Sequence, residues 1–377
     1  MKIAKLELAY ALKKISVANG KNDLVSIEIA GDKAAITAFD GEAVQMQQTL
    51  KCIASEAENG KKYVVHFGKL QDVVSVWKDT DIEFAENGGL ITLSAAKTKT
   101  QVALPFKTDM PELVTEGVAP TGTPIGLQQA DLAKGIKELL PLVSDKYPGF
   151  YFAPVGKEEV PDDEKPFNAE EEETKPATAT RIWSTDGSRV HYVDINGVFG
   201  KEIFLPKVFC KVVSVLKCEL TCVPLGDKYL LIKDNENTLV LICLLQKKMP
   251  YAALQGILDE AESIKCAEIE VTKVDLVDAL NLIYAVTTDE QKRLSFAFEK
   301  GSSLSQTISD TSGKGNTDIA GTISCSADMF APTFSAEQLI TMTAAASEDK
   351  IKIIFTQKML FLMSGGKPTY AVCRFTA

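Results

Sequence analysis

The 377-residue sequence has only two histidines, His66 and His191, and neither has neighbours at metal-ligand spacing. Neither GxxxxGK[ST] nor GxGxxG occurs, so the glycine loops that cradle phosphates are missing. Cys218 and Cys222 in CELTC form a C-x3-C without a second ligand pair, which reads as two small hydrophobes on a strand. Gly365-Gly366-Lys367 reads as a hairpin turn, and Asp40 and Asp186 as turn carboxylates. These absences argue against catalysis, and no metal or cofactor is expected. No run of about 18 apolar residues is present, so no membrane span is expected. The amphipathic start MKIAKLELAYALKK lacks a small-residue cleavage site, so no signal peptide is expected. The eight cysteines are scattered, mostly in apolar runs such as LICLL, and read as buried reduced thiols in a cytoplasmic protein.

What is present suits two or three globular domains: 45% hydrophobic residues and a mean hydropathy of +0.02. The net charge of −10 is unevenly placed. Glu158 to Glu173 holds nine acidic residues and one lysine, a net of −8, which leaves −2 for the rest of the chain. Such an acidic, proline-containing run reads as a solvated loop, so the overall charge does not exclude a basic surface elsewhere.

The sequence also repeats itself. VVSV occurs at 73–76 and 212–215, and Met-Pro at 110–111 and 249–250, both at an offset of 139. Helix-like segments place apolar residues at i, i+4 and i+7 three times: Leu8, Leu12, Ile15; Leu132, Ile136, Leu139; Leu276, Leu280, Ile283. The first two of these are offset by 124, whereas the Asp-Gly turns at 40–41 and 186–187 are offset by 146. A net insertion of 22 residues therefore falls in the second repeat, where the acidic run lies. The pattern predicts three α+β units, each running helix, strands, helix, strands, at 1–118, 119–260 (insertion about 157–176) and 261–377. It makes VVSV the second helix of the first two units, although β-branched residues alone favour a strand. Ser335 and Gln338 have the spacing of a capping box on a helix of the third.

The basic residues follow the helices: Lys13 and Lys14 on the first, Lys134 and Lys137 on its counterpart, and Lys69, Lys78, Lys207, Lys211 and Lys217 around the second helices. Each alone reads as an ordinary solvated lysine. Together they form a candidate surface for the phosphates of duplex DNA, without base reading, since aromatic interleaving is sparse.

The arrangement resembles the bacterial sliding clamp, the beta subunit of the replicative DNA polymerase, over essentially the whole chain. Its most specific part is Ser184-Thr185-Asp186-Gly187-Ser188-Arg189-Val190, which is similar to the family's A-T-D-G-H-R-L. Lys-Val-Val-Ser-Val-Leu after Leu205-Pro206-Lys207, Met249-Pro250-Tyr251 (family F-P-D-Y) and Tyr370-Ala371-Val372-Cys373-Arg374-Phe375 (family Y-V-V-M-P-M) support it. The resemblance implies three clamp domains per subunit, with two subunits joined head to tail into a homodimeric ring. Helices would line a central hole and antiparallel sheets would lie outside.

It further implies a non-catalytic processivity factor in DNA replication that is cytoplasmic and nucleoid-associated. Its partners would be duplex DNA, the polymerase catalytic subunit and an ATP-driven clamp loader. By position, Lys21 joins the DNA contacts, and Thr100 and Val102 meet Ala285 and Val286 of a neighbour at the dimer interface. The family's peptide pocket would be walled by Thr185, Gly187, Ser188, Arg189, Val190, Pro250, Leu254, Val372 and Cys373. Plain core packing is the competing reading for the apolar members. Ser188 for histidine, Arg374-Phe375 for Pro-Met and the missing aspartate before Tyr251 depart from the family pattern and put its peptide preference in doubt. Tyr147-Pro148-Gly149-Phe150 aligns ambiguously with the pocket-edge strand. The alternatives are a clamp-fold scaffold or inhibitor that binds only proteins, and an enzyme with an unrecognised site around Asp186.

Overall fold

A computed structural model describes the chain except residues 22, 55–59, 96, 114–117, 156–178, 248, 262, 287–291, 300–305, 311–315, 320–321, 326–328, 331, 347 and 375–377. The acidic run and Phe375 lie outside the described residues.

The element order repeats as the sequence does. The first repeat runs β1 (Lys2–Ala4), α1 (Lys5–Ile15), β2 (Leu24–Ala30), β3 (Lys33–Phe39), β4 (Val44–Lys51), β5 (Lys62–His66), α2 (Phe67–Val76), β6 (Asp81–Asn87), β7 (Leu90–Ser94) and β8 (Gln101–Pro105). The second has the same order: β9 (Ile125–Gln128), α3 (Gln129–Leu139), β10 (Gly149–Val155), β11 (Ala179–Thr185), β12 (Arg189–Asn196), β13 (Ile203–Pro206), α4 (Phe209–Val215), β14 (Glu219–Leu225), β15 (Tyr229–Asp234) and β16 (Thr238–Cys243). A connecting helix, α5 (Tyr251–Asp259), follows. The third repeat is β17 (Ala267–Thr272), α6 (Lys273–Val286), β18 (Arg293–Glu299), β19 (Gln306–Asp310), β20 (Asn316–Ile319), β21 (Thr322–Cys325), β22 (Met329–Phe330), β23 (Thr333–Ser335), α7 (Ala336–Ala345), β24 (Lys350–Phe355), β25 (Met359–Ser364) and β26 (Lys367–Cys373).

All nine apolar positions expected on the first helices are buried, none more than 1% exposed. VVSV is helical in both places. Phe67, Leu70 and Val74 in one helix, and Phe209, Val212 and Val213 in the other, supply a buried face at helical spacing. Burial of that face outweighs the tenths of a kcal/mol per residue by which valine disfavours a helix. The β25–β26 hairpin turns at Gly365 (φ 57°) and Gly366 (φ 80°), with Ser364 paired to Lys367, a geometry that needs left-handed backbone.

The chain divides into two compact units. One comprises Met1–Lys134, Phe152–Thr180 and Ile195–Lys247. It holds the sheet β1-β6-β7-β8 and the antiparallel sheet β5-β2-β3-β4-β16-β15-β14-β9. The β4–β16 ladder, from Val44↔Ile242 to Gln48↔Thr238, joins the first repeat to the second. The other unit comprises Gly135–Tyr151, Arg181–Asp194 and Lys248–Ala377. Its strands run β12-β26-β25-β24-β17-β21 and β20-β19-β18-β22, with β23 also on β18. Here β12 pairs with β26 (Arg189↔Val372, Val190↔Ala371, His191↔Tyr370), joining the second repeat to the third. The rule is the same at both joints: the third strand after the first helix of one repeat meets the last strand of the next.

Two sequence expectations need correction. Of the described cysteines only Cys52 and Cys222 are buried as expected; Cys210, Cys243 and Cys266 are half-buried, and Cys218, in a turn (φ 56°), and Cys373, at the end of its strand, are exposed. The capping box is half formed. Ser335 Oγ accepts the Gln338 N–H at 3.4 Å, but the Gln338 side chain donates to Ser188 Oγ at 3.1 Å instead of returning to its own helix start.

Candidate functional site

The Thr185–Val190 turn is built by its own side chains. Asp186 Oδ1 accepts the N–H groups of Ser188 and Arg189, each at 2.8 Å, and the Ser188 hydroxyl at 2.9 Å. Asp186 Oδ2 takes the Arg189 Nε at 2.7 Å. Burial raises the Asp186 pKa, but hydrogen bonds from Ser188 N–H and the Arg189 guanidinium outweigh it and hold the carboxyl below its ordinary value. The group is thus spent on turn geometry. Thr185 Oγ1 accepts the Gly187 N–H at 3.0 Å and donates to the Arg189 carbonyl. Gly187 has φ 95°, and a β-carbon there would stand 3.9 Å from Lys146 Nζ and 4.0 Å from Tyr147 Cε2. Lys146 and Tyr147 therefore border the turn, which gives the ambiguous Tyr147 segment a place.

Of the nine residues expected to wall a peptide pocket, Gly187, Ser188, Arg189, Pro250, Leu254 and Cys373 are exposed or half-buried. Thr185 (3% exposed), Val190 (2%) and Val372 (0%) are not available to a ligand. Thr185 faces inward to hold its turn, Val372 belongs to the core of the third repeat, and Val190 pairs with the fully buried Ala371 in the ladder beneath. The accessible surface is therefore smaller and more polar than the motif implied. It gains Gln338 from α7 through its bond to Ser188. Burial, with a smaller contribution from Asp186, pushes the Cys373 thiol pKa up, so the thiol is kept protonated.

Of the ten lysines expected to meet DNA, nine are exposed: Lys13, Lys21, Lys69, Lys78, Lys134, Lys137, Lys207, Lys211 and Lys217. Lys14 is a correction. It is 3% exposed, and its Nζ lies 2.7 Å from Asp234 Oδ2 and 2.9 Å from Glu236 Oε2. Tyr10 donates to the same Glu236 oxygen at 2.6 Å, and that hydrogen bond leads the causes that push its phenol up to about 12. Lys14 thus ties α1 to the β15–β16 turn and has no face for phosphate. Within the first unit α1 packs against α2, and the 3-10 turn Ser16–Ala18 packs against α4, so α1, α2 and α4 are neighbours.

Val102 lies on β8, the edge strand of its sheet, with Leu93 as its partner on the inner side; Thr100 precedes the strand. Ala285 and Val286 end helix α6, so they present no backbone ladder. Among the described residues β20 is a terminal strand of its sheet, as β21 and β22 are of theirs; sequence reasoning missed β20. Its short stretch Asn-Thr-Asp-Ile has no apolar alternation to mark it.

Solved structures match the whole chain. It is similar to the DNA polymerase III subunit beta of Pseudomonas aeruginosa, with a TM-score of 0.79, 12% identity and 100% coverage of both chains. The fold is that of the bacterial sliding clamp. The DNA polymerase sliding clamp of Bacillus subtilis superposes with a TM-score of 0.78 at 14% identity, over 100% of this chain and 98% of that one. The Helicobacter pylori beta clamp bound to a DNA ligase peptide gives 0.76 at 13%, over 100% and 99%. No protein-family model and no curated protein sequence matches the chain. The clamp fold is therefore adopted here at 12–14% sequence identity.

Proposed function

We propose that the chain is a DNA sliding clamp: a non-catalytic processivity factor that encircles duplex DNA and tethers a replicative polymerase and other partners. The carrying observation is the clamp fold over the full chain, together with exposed lysines on helices that pack side by side. In this reading three domains, at 1–118, 119–260 and 261–377, form each subunit, and two subunits close head to tail. The repeat rule supports that closure. β4 meets β16 and β12 meets β26, so the equivalent β20 is left to meet β8 of another copy, and both are free edges among the described residues. A heterologous contact of this kind closes into a ring when its rotation permits. Ala285, exposed at the end of α6, would then lie beside the ladder.

The test is retention. Loaded protein is expected to stay on nicked circular DNA and to leave once the circle is cut; equal loss from both would favour a protein-binding scaffold. Replacing Lys207, Lys211 and Lys217 together with glutamate should weaken DNA association. It should also lower the slope of log K against log salt by roughly 0.9 for each lost phosphate contact. An unchanged slope would place these lysines away from DNA.

We assign the Gly187–Arg189 turn, Pro250, Leu254 and Cys373 to a site for short partner peptides, including those of a polymerase and a clamp loader. Leu254→Ala is expected to cost about 1–3 kcal/mol of peptide affinity by titration calorimetry. Val190→Ala should instead lower stability by about 1–2 kcal/mol in urea unfolding, since it removes buried methyl groups. Equal peptide affinity for wild type and Leu254→Ala would return Leu254 to a packing role.

A further inference from the structure

Helix α5 supplies one wall of the peptide site, and little in its own sequence holds it. It is nine residues long, has no side-chain cap at Pro250, and contains Gly256. An isolated helix of that length is marginal in water, and an interior glycine costs about 1 kcal/mol relative to alanine. Leu258 is its fully buried anchor, near the end away from Pro250. Tyr251 stacks on Tyr151 with ring centroids 5.5 Å apart. The segment between them, which bears Leu254, is held by a polar device from β11.

Arg181 on β11 donates through Nε and Nη2 to the two oxygens of Asp194, at 2.7 and 2.8 Å. Its guanidinium carbon lies 3.7 Å from the Tyr192 ring centroid. Chelation and stacking together fix the plane and rotation of the fork, and so fix the two directions in which Nη1 can donate. It donates to Gln255 Oε1 at 2.6 Å, and Gln255 Nε2 donates onward to Asp259 Oδ1 at 2.6 Å. The residue next to Leu254 is thereby tied to the sheet, and α5 is braced along its length. The Arg181 side chain is 13% exposed and Asp194 is 43% exposed, so the guanidinium is packed while its carboxylate partner stays open to solvent.

We propose that Arg181 is a positioning residue for the peptide site: through Gln255 it holds α5, and with it Leu254 and Pro250, in the binding geometry before a peptide arrives. A wall ordered in advance spares the ligand the cost of ordering it. The functional half of this inference rests on the peptide-site reading above; the structural half does not. Lysine cannot replace the arginine, because an ammonium neither chelates both Asp194 oxygens nor stacks flat on Tyr192.

The test uses the full-length protein with Arg181→Met, Arg181→Lys and Gln255→Leu, the last leaving the Arg181–Asp194–Tyr192 group intact. Two measurements are made: hydrogen exchange of the α5 amides, and binding of the DNA ligase peptide seen in the Helicobacter pylori complex. All three variants are expected to exchange α5 amides about tenfold faster and to bind the peptide about tenfold more weakly, chiefly through faster dissociation. Lys should give no rescue, and Met with Leu together should be no worse than Met alone. Unchanged α5 exchange in folded Gln255→Leu would overturn the proposal, as would full recovery by Arg181→Lys. If wild type fails to bind the peptide while the exchange result holds, the peptide-site reading falls and the bracing of α5 stands.

Discussion

Lys14→Met is expected to lower stability by about 3–5 kcal/mol, the usual cost of leaving a buried charge without its partner. The cause is Asp234, 2% exposed, whose Oδ2 would lose the ammonium at 2.7 Å. The carboxylate keeps the N–H groups of Glu236 and Thr238, both at 2.9 Å, and the Thr238 hydroxyl at 2.9 Å, which places the loss toward the low end of that range. Neutralising both partners, as Lys14→Met with Asp234→Asn, should recover most of it, because the penalty belongs to the uncompensated charge. Lys13→Met, one residue away and exposed, should change stability by less than about 0.5 kcal/mol. Urea unfolding of the four proteins decides the matter. If Lys14→Met keeps wild-type stability and instead loses DNA affinity, the lysine belongs with the DNA-facing set after all.

His191 carries the second large effect. It is 4% exposed, donates through Nδ1 to the Thr369 carbonyl at 2.8 Å, and packs against the Tyr370 ring at 4.8 Å. A carbonyl can only accept, so Nδ1 holds the proton and the neutral ring exposes a bare Nε2 inside the protein. Burial lowers its pKa to about 4, against which the Thr369 bond works weakly. The unfolded chain therefore binds this proton near pH 6.5, and the folded protein binds it only near pH 4. Between those values the unfolded state holds more protons, so stability falls as pH falls from 6.5 to 4 and levels off below. The total drop from this group is about 3 kcal/mol at 1.36 kcal/mol per unit. His191→Gln, compared with wild type in urea at pH 7.5 and pH 4.5, should flatten that part of the curve. Parallel curves would mean that His191 does not titrate as a buried group.

Both effects arise at joints between repeats. Lys14 and its partners sit where β4 meets β16, and His191 sits where β12 meets β26. At the first, Gln48 on β4 also donates to the Glu236 carbonyl at 2.6 Å. The chain thus closes each continuous ladder with buried polar groups, which set strand register more strictly than apolar packing would.

The sequence by itself determined the repeat, its three helix faces, the helical state of both VVSV segments, and the turns at Asp40, Asp186 and Gly365-Gly366. The helix faces and turns are local properties: periodicity of 3.6, an Asx acceptor two to four residues from its donors, or a glycine at positive φ; the repeat and the VVSV helices were legible only by comparing distant stretches of the same chain. Tertiary structure alone decided the rest. Lys14 reads like Lys13 until Asp234, 220 positions away, comes within hydrogen-bond distance. Val190 and Val372 match a pocket motif, yet ladder pairing and the third-repeat core bury them. The Gln338 side chain points toward Ser188, 150 residues earlier, to whose hydroxyl it donates. Residue type and spacing encode what a segment can do with its neighbours in the chain. Which lysine is neutralised and which valine is dry depends on partners brought close only by folding.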